Sequence, residues 1–323
     1  MNLISGIFHP LRTLARLSPE EPGKQTKKEG ILMITTNGST RSDAPVVVVG
    51  ATGRQGNAVV SALLERGQRV RALVRDHTAE RAQSLARAGA ELVTADLNDS
   101  DTLIEALRGA PRVFAMTTFT GPDGPDGEVR HGQILTDAMR NAGVDHVVFS
   151  SVGGAERATG VPHFESKRRV EEFFEASGLR TTFVRPTFFM DNFTTFSQPV
   201  MEEGTLVVRL PLPEGIPLQM VSVRDIGQVA AAALIDPNSV PGGAVEIAGD
   251  ELTGEQIASA FSTAWAVPAR YEAVPVEVLG DDDQEKMFTW FSRLPAYRAD
   301  WTLTRQLVPD VQDLRTWLKG QEA

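Results

Sequence analysis

The chain has 323 residues, 41% of them hydrophobic and 23% charged, the make-up of a globular α/β protein with room for an appended lobe. Its 32 basic and 42 acidic residues leave a net charge of −10, which argues against direct binding to nucleic acid or to anionic membrane lipid. The absence of cysteine excludes disulfides, thiolate metal sites and cysteine nucleophiles, and no apolar run approaches the ~20 residues of a membrane span, so a cytoplasmic location is expected.

Residues 1–44 differ in character from the rest of the chain. Leu3, Ile7, Leu11 and Leu14, with Arg12 and Arg16, make a weak amphipathic pattern, and Pro19–Ala44 is then polar, with a Lys-rich patch at Gln25–Lys28. We read the segment as a flexible N-terminal extension, with a transit-type leader as the alternative. From Pro45 onward, apolar runs alternate with helical periodicity, the pattern of βαβ units. Val46–Val49 predicts a buried strand, and Val59, Leu63 and Leu64 a helix ending near Gly67. Strands are then expected at 69–75, 91–95, 111–116, 146–150 and 180–185. Helices are expected over 79–87, from Asp99 or Ser100 to Leu107, over 129–141, and through 170–176. The stretch Gly121–Gly127 has the composition of a mobile loop, either a lid or a plain solvent loop. Beyond Pro186, a helix at 224–234, a strand at 244–248 and a helix at 255–264 are expected. The fold class is therefore α/β: a Rossmann doubly wound parallel sheet over 45–190, with a smaller C-terminal α/β lobe over 191–323. That lobe, for substrate or partner, is interleaved with late Rossmann elements.

Between the first strand and the first helix stands Gly50-Ala51-Thr52-Gly53-Arg54-Gln55-Gly56. Glycines at that spacing let the backbone turn sharply and approach a pyrophosphate, while the helix after them presents free N–H groups. The setting, straight after four valines and before an amphipathic helix, makes Gly50, Thr52, Gly53, Arg54, Gln55 and Gly56 the expected dinucleotide loop. The second strand ends Val74-Arg75-Asp76. An arginine there accepts a 2′-phosphate, where a carboxylate would hold the ribose hydroxyls of NAD. Arg75 and Arg54 together favour NADP(H), with NAD(H) open through Asp76. Asp96 and Leu97, after the third strand, are placed to meet the adenine, and Thr117 and Thr118, after the fourth, the pyrophosphate or ribose.

The loop Gly50–Gly56, Leu73-Val74-Arg75, His163-Phe164-Glu165-Ser166-Lys167, Val184-Arg185-Pro186 and the tail from Phe288 to Leu318 together resemble the NmrA-like family. These are atypical short-chain dehydrogenase/reductase proteins. The resemblance implies a Rossmann domain with a small lobe and a preference for NADP. It also implies one of two functions. Some members, a fungal nitrogen regulator and a human NADPH sensor among them, bind dinucleotide and control partner proteins. Others reduce quinones, dyes or plant phenylpropanoids with NADPH.

Typical short-chain dehydrogenases place Tyr-x-x-x-Lys on the fifth helix and a serine after the fifth strand. Here the spacing reads His163-x-x-x-Lys167, without the tyrosine, and Ser150 and Ser151 close the strand. Residues 163, 167, 170 and 174 share one helical face, so Val170 and Phe174 should turn Lys167 inward, with Arg168, Arg169, Glu171 and Glu172 outside. By resemblance Lys167 bonds the nicotinamide ribose. His163 is either a proton donor, since histidine titrates near neutrality, or a helix-start residue with a structural hydrogen bond. His131 and His146 are isolated, and Asp281-Asp282-Asp283 reads as a solvated acidic run, so no metal is expected. Phe188, Phe189, Phe193 and Phe196 either line a flat pocket or pack in a core. The leading function is an NADPH-dependent oxidoreductase for a small apolar carbonyl, quinone or enone. The alternative is an NADPH/NADP redox sensor regulating a partner protein, and an oligomer is compatible with either.

Overall fold

A computed structural model of the protein describes residues 44–321. The expected N-terminal extension lies, apart from Ala44, outside the described residues. The strands of the main sheet are β1 (Val46–Val48), β2 (Val70–Val74), β3 (Glu91–Thr94), β4 (Arg112–Met116), β5 (His146–Ser150) and β6 (Arg180–Pro186). The helices between them are α1 (Arg54–Glu65), α2 (Glu80–Arg87), α3 (Ser100–Leu107), α4 (Gly124–Ala142) and α5 (Pro162–Ser177). The chain continues through β7 (Phe188–Phe189), β8 (Val200–Glu202), β9 (Thr205–Leu210), β10 (Leu218–Val221), α6 (Val223–Ile235), β11 (Ala244–Ile247) and β12 (Asp250–Leu252). It ends with α7 (Gly254–Trp265), β13 (Ala269–Ala273), α8 (Asp282–Phe291), α9 (Trp301–Leu307) and α10 (Leu314–Lys319).

The main sheet runs β11-β6-β5-β4-β1-β2-β3, and every pairing in it is parallel. A parallel sheet is buried on both faces, which explains the unbroken run of valines in its first strand. Val46 and Val48 point into a core shared with α1 and α6, including Val59, Leu63, Ile226 and Leu234. Val47 and Val49 point the other way, into a core with Leu103, Leu135, Val170 and Phe174 from α3, α4 and α5. The strand order reverses between β1 and β4, so the crevice of a doubly wound sheet opens at their carboxyl ends.

The residues after β6 build two three-stranded sheets, β12-β10-β7 and β13-β9-β8, but α6 and β11 return to the main sheet. A third core holds Phe188, Phe193, Leu206, Phe261, Phe288, Phe291 and Trp317. Phe188 and Phe193 are therefore core residues, while Phe196 is 60% exposed. Two expectations need correction. The stretch expected as a loop up to Gly127 is helical from Gly124, with Pro125 in the first turn of α4, where proline costs no hydrogen bond. Glu171, expected on an outer face, is fully buried, because Arg185 on β6 and Arg168 both pair with it. Glu171 thus obeys the rule that a buried charge is paired.

Candidate functional site

The site starts from the backbone. Gly50 comes after β1 with φ +70°, a conformation glycine adopts without steric cost. The Gly53 amide donates to the Gly50 carbonyl at 2.9 Å and closes the turn. Gly56 then passes so close that a Cβ on it would stand 2.2 Å from the Gly50 oxygen and 2.8 Å from the Ala51 Cα. Glycine is a requirement at that position. The turn delivers the chain into α1 with Gly53 as N-cap, and no side chain caps the helix and no acid sits in its first turn. The leading amides and the positive end of the helix dipole are thus left for an anion at the crevice mouth.

Apart from Lys167, the expected cofactor residues stand in the turn itself or at or just beyond the carboxyl ends of β2, β3, β4 and β5, each with its own partners. Arg54 is exposed and reaches the Asp191 carbonyl at 3.4 Å. Thr52 is half-buried within the turn. Gln55, in the first turn of α1, accepts a 2.6 Å hydrogen bond at Oε1 from the Ser150 hydroxyl, which ties α1 to the end of β5. Arg75 is exposed at the end of β2. Its neighbour Asp76 turns its carboxylate onto the Thr78 amide and hydroxyl, at 2.8 and 2.6 Å, and those bonds hold its pKa below the usual value. Asp96 likewise accepts from the Asn98 amide and side chain, which lowers its pKa, with the Arg75 charge adding to the effect. Leu97 is partly buried against the core beneath α3, and Thr118 is exposed and shares a 2.8 Å bond with Thr120.

Lys167 does turn inward, as the helical face requires, and lies 9% exposed beside Val170 and Phe174. Its ammonium is already engaged. Nζ lies 2.9 Å from Glu128 Oε1, donates to the Thr117 carbonyl at 2.7 Å and meets the Thr117 hydroxyl at 3.3 Å. It also stands 5.3 Å from the centre of the Phe149 ring. Glu128 is fully buried and further accepts from Ser166 at 2.5 Å and from Thr117 at 3.0 Å. Burial pushes this carboxyl up, but the Lys167 charge and the two hydroxyls more than offset it and leave it below the ordinary glutamate value. Sequence reasoning misses Glu128 because the residues around it have the composition of a loop. Its signal was the (i, i+4) relation to Gly132 and Thr136 on one buried helical face.

One turn earlier on α5, His163 meets a partner from far along the chain. Its Nδ1 lies 2.5 Å from Asp283 Oδ2, and its backbone amide donates to Asp283 Oδ1 at 2.8 Å. The ring stacks on Phe119, after β4, at 4.5 Å between centroids, and Phe164 stands edge-on at 4.6 Å. Asp283, expected among solvated acids, has a side chain only 16% exposed. Burial raises its pKa, but the two bonds to His163 and the attraction of the ring bring it below the usual aspartate value. Asp281 caps α8 and Asp282 pairs with Lys286, so the three acids have three separate structural roles.

The fold and the strand-end geometry define a Rossmann-type α/β protein with an appended lobe, in which a His-x-x-x-Lys pair stands at the head of the fifth helix. The chain belongs to the NmrA-like family, whose model matches residues 42–308. It is 35% identical over 233 residues to the NAD(P)H azoreductase of Xenophilus azovorans, covering 72% of this chain and 78% of that protein. It is 31% identical over 301 residues to an NmrA-like family domain-containing oxidoreductase of Malbranchea aurantiaca, covering 84% and 87%. Among solved structures, NmrA, a negative transcriptional regulator in complex with NADP, matches with a TM-score of 0.74 and 24% identity, covering 86% of this chain and 95% of that one. The triphenylmethane reductase of a Citrobacter species complexed with NADP(H) matches with a TM-score of 0.70 and 20% identity, covering 86% and 100%. Among the described residues, no helix is long and apolar enough to cross a membrane.

Proposed function

We propose that this chain binds NADP(H) at the Gly50–Gly56 turn and reduces a flat apolar acceptor, such as a quinone, an enone or an azo compound. The observation that carries the reading is the cradle at Gly56, where any side chain would fill the space between the turn and α1. An uncapped helix start behind such a cradle suits a diphosphate. The azoreductase and the NADP(H)-bound reductase among the similar proteins support it.

In this reading the amides at the head of α1 hold the diphosphate, and Arg75, with Asp76 already engaged by Thr78, takes the 2′-phosphate that distinguishes NADP. Arg54, Asp96, Leu97, Thr117 and Thr118 border the dinucleotide, and the Ser150–Gln55 bond fixes the strand end beside it. The bound cofactor supplies a hydride. Lys167, ion-paired with Glu128 and bonded to the Thr117 carbonyl, ties α5 to α4 and to the carboxyl end of β4 beneath the site. His163 holds the proton that completes the reduction, in place of the missing tyrosine. The test is NADPH oxidation across a quinone, enone and azo-dye panel, with His163→Gln beside the wild type. Acceptor-dependent turnover that falls about 100-fold in the variant is expected. No turnover with any acceptor would remove the reading.

One observation favours a second reading, a dinucleotide-dependent regulator. Glu128 Oε1, the Thr117 carbonyl and the Thr117 hydroxyl give the Lys167 ammonium three protein acceptors, one for each of its three N–H donors. Co-purification of a protein partner that depends on NADPH against NADP, together with no turnover, is what that reading requires.

A further inference from the structure

His163 and Asp283 are separated by 120 residues, yet the carboxylate engages the histidine twice. Oδ1 takes the backbone N–H and Oδ2 faces Nδ1. A carboxylate has only acceptors to offer, so the ring nitrogen facing it must carry a proton. Two aromatic rings also meet the imidazole, Phe119 on one face and Phe164 at the edge. Nε2 has no hydrogen-bond partner among the described residues, and the His163 side chain keeps 13% of its surface exposed. The imidazole is thus clamped on one nitrogen and open on the other.

We propose that Asp283 is a positioning residue that locks His163 as the Nδ1–H tautomer, so that Nε2 is the nitrogen presented to the acceptor. This deepens the reductase reading and rests on it for its chemical use. In that use the acceptor gains a hydride, with its electron pair, from the reduced nicotinamide, and a proton from the Nε2–H of the imidazolium. The ring is left neutral with its Nδ1–H still on Asp283, the carboxylate stays unprotonated throughout, and a proton taken up from bulk solvent restores the Nε2–H, so each turnover consumes one hydride and one solvent proton. Asp283 lies in the first turn of α8, whose Phe288 and Phe291 lie in the core of the C-terminal lobe. The lobe thereby sets the chemistry of a residue on the Rossmann side.

The same geometry makes Asp283→Asn informative. An amide has one oxygen and one NH2. With the oxygen retained by the His163 backbone N–H, the NH2 faces Nδ1, which must then accept, and the ring proton moves to Nε2. Nitrogen-15 NMR of histidine-labelled full-length protein at about pH 9, above the ordinary histidine range, reads this directly, with His163→Gln assigning the signals. The expected wild-type spectrum has His163 protonated at Nδ1 and bare at Nε2, reversed in Asp283→Asn, while the NADPH dissociation constant is unchanged. Asp283→Ala, which offers neither acceptor, should lose the Nδ1 preference. A wild-type ring protonated at Nε2, or a spectrum unmoved in both variants, overturns the assignment even if the chain is an active reductase. Turnover provides the second arm: kcat in Asp283→Asn falls about tenfold or more with KM for NADPH unmoved. A wild-type kcat in that variant overturns the role in catalysis. If the acceptor panel gives no turnover at all while the tautomer reverses as expected, the lock stands and the reductase reading alone falls.

Discussion

The glycine turn and the His163 corner lie at the same end of the sheet but are built by opposite means. The turn is made of backbone: Gly50 supplies the left-handed residue, Gly53 the closing bond, and Gly56 the empty space against the Gly50 carbonyl. All its parts fall within seven consecutive residues. The corner is made of side chains brought from four distant places: Phe119 after β4, Glu128 on α4, His163 and Lys167 on α5, and Asp283 on α8. A backbone device tolerates neither an added carbon nor a change of path, yet carries no charge to titrate. A side-chain device depends on pairing, so its strength varies with pH and its failure is electrostatic.

Substitutions separate the two. The largest effect is expected from Gly56→Ala, whose methyl would stand 2.2 Å from the Gly50 oxygen and must push the turn open. NADPH affinity should fall at least about 100-fold, read by fluorescence titration, since the amides lose their convergence. Retained affinity would show that the turn is not where the diphosphate sits.

Next comes Glu128→Gln, which leaves the Lys167 ammonium buried without its anion. A loss of about 3 kcal/mol in urea unfolding is expected at neutral pH. Because the native Glu128 carboxyl titrates below its ordinary value, its contribution is present above the ordinary glutamate range and is lost as pH falls through the native value. The gap between wild type and variant should therefore narrow from about pH 5 toward pH 3. A gap independent of pH would mean that the side chain matters for its shape and not for its charge. NADPH binding at the turn should change less than stability, which is the contrast between backbone and side chain in its plainest form.

The smallest effect belongs to Arg75→Ala. Losing one exposed guanidinium should weaken NADPH about tenfold and leave NADH unchanged. Equal weakening of both would place Arg75 away from the 2′-phosphate.

The same contrast explains how much of the molecule was legible in sequence. The strands announced themselves through Val46–Val49 and its successors, because a strand buried on both faces is written as consecutive apolar residues. The turn was legible because its glycines are local. Lys167 was placed correctly inside by helical spacing alone. What spacing could not reveal was a partner. Glu128 was hidden by the Gly- and Pro-rich residues before it, whose composition suggests a loop, although α4 begins among them. Glu171 read as a surface charge because its counter-charge, Arg185, lies on the next strand. Asp283 sat in a run of acids, and only the packing of α8 against α5 separates it from Asp281 and Asp282. Long-range pairing of charges leaves no period in a sequence, whereas burial and backbone turns do.

The measurement that bears most directly on the account is calorimetric titration of the folded chain with NADPH and, in parallel, NADH. Saturable binding at one site per chain, tighter for NADPH and abolished by Gly56→Ala, is the predicted result. A chain that gives no binding heat with either nucleotide, or whose Gly56→Ala variant saturates as the wild type does, would contradict the assignment of the diphosphate to the turn.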